Sequence, residues 1–103
     1  MSRRPLVALV GLLSLLPAGA AAHEERLMVG RVEGIEPARR LLVLTDVQSG
    51  ERRRMAVDPE TEVIVCRTET SLAAVRRGGV VRVKYLERAG GEPEARSILL
   101  LGR

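Results

Sequence analysis

Met28-Val29-Gly30-Arg31-Val32-Glu33-Gly34-Ile35-Glu36 alternates apolar and polar side chains. A period of two puts every second residue on one face of a strand and spreads the same residues around a helix, so the segment is read as β. Gly30 and Gly34 stand where a bulge or sharp coiling lets a sheet curl. Pro37 ends the run. Two more strands are expected at Arg40 to Val47 and Arg52 to Val57, joined by the hairpin-turn composition Gln48-Ser49-Gly50-Glu51. Asp58-Pro59-Glu60-Thr61 is a second turn, and Glu62 to Cys66 a short extended piece. The period changes once. Thr70 to Gly79 has a hydroxyl cap, apolar residues at helical spacing, Arg76 and Arg77 near its end and glycine beyond, which predicts one short helix of about two turns. Two further strands are expected at Val80 to Glu87 and Glu94 to Leu101.

Three strands, a short helix and two more strands is the order of the oligonucleotide/oligosaccharide-binding (OB) barrel. The expected fold is therefore mainly β: a small five- to six-stranded OB-like Greek-key barrel with one short helix between the third and fourth main strands. The size agrees. The chain has 103 residues, and removing the first 22 as an export signal leaves 81, with no room for a second domain. Tyr85 is the single aromatic residue, so the core must be aliphatic. Closing the sheet lets one face of every strand share that core. The inward candidates are Val32, Ile35, Leu42, Leu44, Met55 and Val57, then Val81, Val83, Tyr85, Ile98 and Leu100, with Leu72 and Val75 plugging one end. Leu41 and Val43 alternate with Leu42 and Leu44, so that strand is apolar on both faces.

The export signal is the most specific motif. Ser2, Arg3 and Arg4 form a positive start, Leu6 to Leu16 is an apolar run, Pro17 breaks it, and Ala20-Ala21-Ala22 offers the small-residue pattern that signal peptidase reads, with cleavage before His23. The run is shorter than the roughly 20 residues of a membrane span, so the expected product is a periplasmic or extracellular domain over residues 23–103 with no stable membrane anchor. The start also partly resembles a twin-arginine signal, although Pro5, Leu6 and Val7 follow it. The net charge of +4 shrinks with cleavage: without Arg3 and Arg4, 15 basic side chains face 13 acidic ones. With so small an excess and a single aromatic, Tyr85, to stack bases, a nucleic-acid partner is not expected.

Gly30-Arg31-Val32-Glu33-Gly34-Ile35, Leu42-Val43-Leu44, Val57-Asp58-Pro59-Glu60-Thr61-Glu62-Val63 and Ser71 to Val83 together resemble exported bacterial proteins of domain-of-unknown-function family 5666. A Gly-x-Val-x-x-Ile start, a Val-Asp-x-x-Thr-x-Val turn and a Ser-Leu-x-x-Leu-x-x-Gly-Asp-x-Val-x-Val step recur there. The resemblance spans about residues 28–101, with Val75 where Leu is usual and Gly79 where Asp is usual. It implies an exported β-barrel module and supplies no established reaction, and the chain as a whole is read as a binding or assembly module of the cell envelope.

Few side chains are available for chemistry. His23 is the only histidine and precedes the first strand, so a Ser-His-Asp or Cys-His arrangement lacks a positioned base, and the chain reads as non-enzymatic. Cys66 is alone and staples nothing within the chain; in its β-rich run it is expected as a small, half-buried apolar side chain. Asp58, Glu60 and Glu62 are spaced by two and share a side in an extended segment, but Asp-Pro-Glu-Thr is ordinary turn chemistry. Cleavage before His23 exposes an α-amine and an imidazole able to chelate copper(II) together. Exported copper-binding barrels that the chain is similar to in this respect also use methionines and a tryptophan; here Trp is absent and Met28 and Met55 remain. The other candidate is a ligand face on the second and third strands, where Arg52 and Arg54 point outward and would meet an anionic partner, with Arg53 turned inward or to the rim.

Overall fold

The computed structural model describes residues 24–102; the expected export signal over residues 1–22 and the candidate ligand His23 lie outside the described residues. Seven strands form one sheet: β1 (Glu25–Glu36), β2 (Leu41–Asp46), β3 (Arg52–Ala56), β4 (Glu62–Val65), β5 (Thr68–Thr70), β6 (Val80–Leu86) and β7 (Glu94–Gly102). Their order is β3-β2-β1-β6-β7-β4-β5, and a further parallel pairing of β3 with β7 at Ala56 and Glu94 closes β1, β2, β3, β7 and β6 into a ring. The Ala56 amide donates to the Pro93 carbonyl at 2.8 Å across this closure. The expected mainly-β, OB-like closed barrel is the observed fold. The β4–β5 hairpin is an addition to it, laid beside β7 through the parallel register Val63 to Ile98.

The alternation read in the sequence selects the inside of the barrel. Val32, Leu42, Leu44, Met55, Val57, Val75, Val81, Val83, Tyr85 and Ile98 are buried in one cluster, with Ile35, Leu72 and Leu100 packed against it. Met28, Val63 and Ala95 complete it. Gly30 makes the curvature possible: a Cβ there would stand 2.8 Å from Leu44 Cδ1 and 3.1 Å from the Thr45 carbonyl oxygen. The β1–β2 register shifts between Val32 and Gly34, so Glu33 is the bulged residue. Leu42 and Leu44 face inward, whereas Val43 lies outside the core cluster yet is also buried. It pairs with Gly34 on one side and Arg54 on the other.

Two expectations are corrected. Instead of a two-turn helix over Thr70 to Gly79, only a single 3-10 turn forms at Leu72–Ala74, and Ser71 makes no side-chain cap. The segment is claimed from both ends by the sheet. Thr70 belongs to β5, while Gly78 N–H donates to the Val32 carbonyl and Val32 N–H to the Gly79 carbonyl, each at 2.8 Å. What remains is too short to nucleate an α-helix, and one tight turn suffices to deliver Val75 to the core. Cys66 is exposed rather than half-buried. Cys66 and Arg67 are the two central residues of the β4–β5 hairpin, with φ of 50° and 66°. A two-residue hairpin with both positions at positive φ matches the twist of its strands, so turn geometry overrides the β propensity of Cys66.

Candidate functional site

The outer face of β1, β2 and β3 carries the arginines singled out above. The register places Arg31, Thr45 and Arg52 in one row and Gly34, Val43 and Arg54 in the next. Because Gly34 has no side chain, the second row is open at β1, and a groove of about 1000 Å³ runs along the face between Arg31, Glu33, Val43, Asp46, Arg52 and Arg77.

The structure brings Arg52 and Arg54 together on this face but treats them differently. Arg52 Nε lies 3.1 Å from Glu33 Oε1, and the other Glu33 oxygen accepts the Thr45 hydroxyl. The bulge makes this possible by adding a residue to β1 and turning Glu33 toward β2 and β3. Arg52 is thus electrostatically occupied, although its side chain is 62% exposed. Arg54 is exposed and has no ion-pair partner among the described residues. Arg31 Nη1 donates to the Gly78 carbonyl at 2.9 Å, tying β1 to the turn before β6. The period of two sets Arg31 opposite the inward Val32, on an outer face; that Arg77 joins it depends on the distant turn at Gly78 and has no local signal. Arg53 turns inward to the barrel rim as expected.

The methionine thioethers are withheld from solvent, and Cys66 on the β4–β5 turn is the one exposed soft donor among the described residues. Met28 and Met55 both belong to the core cluster, Met55 with no exposed surface. Among the described residues no group of three or more His, Cys, Asp or Glu side chains is placed to hold a metal ion. Asp58 is committed to its turn: Oδ1 accepts the Glu60 amide at 2.8 Å, while Thr61 Oγ1 accepts the Asp58 amide at 3.0 Å and donates to the Ala95 carbonyl at 2.9 Å. His23 lies outside the described residues.

No family model and no curated protein matches the chain. Two solved structures are similar to it. One is the crystal structure of Ag(I) CusF, 13% identical, covering 76% of this chain and 99% of that one with a TM-score of 0.57. The other is a 1.0 Å structure of CusF-Ag(I), residues 10–88, from Escherichia coli, 14% identical, covering 80% of this chain and 98% of that one with a TM-score of 0.59. The chain therefore has the closed small-barrel fold of CusF over nearly the whole of that protein's length.

Proposed function

We propose that this chain is an exported, non-enzymatic metal-binding module, with copper(II) as its cargo and His23 as the main ligand residue. The observation that carries the reading is the likeness of the closed ring to two silver-bound CusF structures. The donor set here differs. With both thioethers packed in the core, the nitrogen donors left are the α-amine and imidazole that cleavage before His23 would expose, beside the exposed carboxylates of Glu24 and Glu25. Nitrogen and carboxylate donors suit copper(II) better than silver(I), which prefers soft sulfur. The signal over residues 1–22 and the resemblance to exported family 5666 proteins support a periplasmic or extracellular location.

The test is isothermal titration on secreted protein whose first residue has been established by mass spectrometry. One equivalent of copper(II) bound at micromolar concentration, lost on acetylating the α-amine and in His23→Ala, with silver(I) uptake confined to the exposed Cys66 thiol and abolished by alkylating it, is the expected result. A mature terminus other than His23, or no copper(II) uptake at micromolar metal, removes the proposal.

A second reading, an anionic partner at Arg52 and Arg54, is favoured only by the unpaired Arg54, which pairs across the sheet with the groove residue Val43 and itself lines a separate shallow hollow with Arg52 and Arg53. It predicts heparin binding that weakens steeply with salt and in Arg54→Ala, and less in Arg52→Ala because Glu33 already holds that guanidinium. Retention indifferent to salt and to both substitutions excludes it.

A further inference from the structure

On the side of the barrel away from β2 and β3, cross-strand pairing lines up one row of outward residues. Val29 pairs with Arg82, Arg82 with Leu99, Leu99 with Ile64, and Ile64 with Glu69. From β6 to β5 the row reads cation, apolar, apolar, anion. Leu99 and Ile64 are outside the core cluster and half-buried, and Arg82 and Glu69 are exposed. The neighbouring row repeats the polarity, with Lys84 on β6, Ser97 on β7 and Glu62 on β4. Among the described residues, none of Arg82, Lys84, Glu62 and Glu69 has an ion-pair partner.

These charges do not pair with one another within the chain. Arg82 and Glu69 are three strand spacings apart, about 14 Å, which exceeds the screening length of about 8 Å at physiological ionic strength. The face carries two positive and two negative charges flanking an apolar centre, so a uniformly charged polyanion or lipid surface would meet repulsion on half of it. A surface with the same sequence of charges, read in reverse, would meet attraction throughout. A second copy related by a two-fold axis presents that reversed sequence.

We propose that the outer face of β6, β7, β4 and β5 is the interface of a symmetric homodimer. A two-fold axis lying in the interface along the strands, between β7 and β4, reverses the row. It sets Arg82 against the partner's Glu69 and Leu99 against the partner's Ile64, and both contacts recur by symmetry. Lys84 then lies over the β5 side of the partner, one strand from the partner's Glu62. Two such sheet faces stack at about 10 Å, which long basic and acidic side chains span readily.

Sedimentation velocity over a range of concentrations, in reductant so that Cys66 contributes no cross-link, tests this. The wild-type chain is expected to show a concentration-dependent monomer–dimer equilibrium. Arg82→Glu and Glu69→Arg each place like charges at both symmetric contacts and should each weaken the dimer on the order of 10-fold. Mixing the two variants brings opposite charges back to both contacts, with the signs exchanged at one of them, and should restore association between unlike chains. Circular dichroism of each variant checks that this exposed face tolerates the changes without unfolding. A wild-type chain that stays monomeric at the highest concentration reached overturns the proposal. So does a dimer indifferent to both reversals, or one weakened by both and not recovered on mixing.

Discussion

The guanidinium carbon of Arg53 stands 5.4 Å from the centre of the Tyr85 ring. Arg53 pairs with the inward-facing Leu44, so its stem runs along the end of the core, while its head reaches toward Glu87 at 3.6 Å and Glu51 at 4.0 Å. The side chain is only 25% exposed. In a barrel with one aromatic residue, the cation over that ring closes the rim that β3 and β6 share.

Replacing Arg53 by Ala removes both the stem packing and the cation over the ring. It should lower stability by about 1–2 kcal/mol in urea unfolding, with Tyr85 emission as an intrinsic probe since no other aromatic contributes. Arg52→Ala breaks only an exposed ion pair and should cost no more than about 0.5 kcal/mol. Equal losses in the two variants would contradict the rim assignment.

The two β1 glycines should behave oppositely. Gly30→Ala puts a methyl group 2.8 Å from Leu44 Cδ1 and close to the Thr45 backbone, and is expected to destabilise by about 1–3 kcal/mol. At Gly34 an added Cβ meets nothing within 4 Å, so Gly34→Ala should fall within about 0.5 kcal/mol of wild type. Thermal unfolding of the pair separates close approach from mere curvature.

Met55 distinguishes packing from ligation. Met55→Ala empties a fully buried position and should cost about 2–5 kcal/mol, whereas Met55→Leu should cost less than about 1.5 kcal/mol. If copper(II) is held at the amino terminus, uptake by Met28→Leu and Met55→Leu matches that of the wild type. A drop in uptake with stability intact would place a thioether in the site instead.

Cys66 sits at φ 50° in a two-residue turn. Glycine adopts that conformation without strain, so Cys66→Gly should leave stability unchanged or raise it by up to about 1 kcal/mol, and Cys66→Val should lower it. The native thiol should react with a disulfide reagent about as fast as in the unfolded chain, because it is exposed.

The alternation along the strands identified most of the inward set but not Met28, Val63 or Ala95, since a period of two ties each side chain's face to its neighbours and needs no knowledge of the partner strand. It failed where local and global demands diverged. Cys66 has strand propensity but serves as a turn residue, because β4 must fold back on β5 within two residues. Thr70 to Gly79 has a helical pattern but yields only Leu72–Ala74, because its ends are already bound into the sheet. For the candidate site, Arg52 and Arg54 on one outer face followed from spacing. The capture of Arg52 by Glu33 did not, because it depends on a bulge that shifts register between strands.

By itself, then, the sequence determined a small aliphatic barrel: strand period, turn residues and a single aromatic are local properties that any register would preserve. Only the tertiary structure decided which charges stand beside which. Arg82 and Glu69 join one row through Leu99 and Ile64, across three strand pairings. Those pairings place charges in one row by hydrogen-bond register between segments far apart in the chain, which no local spacing encodes.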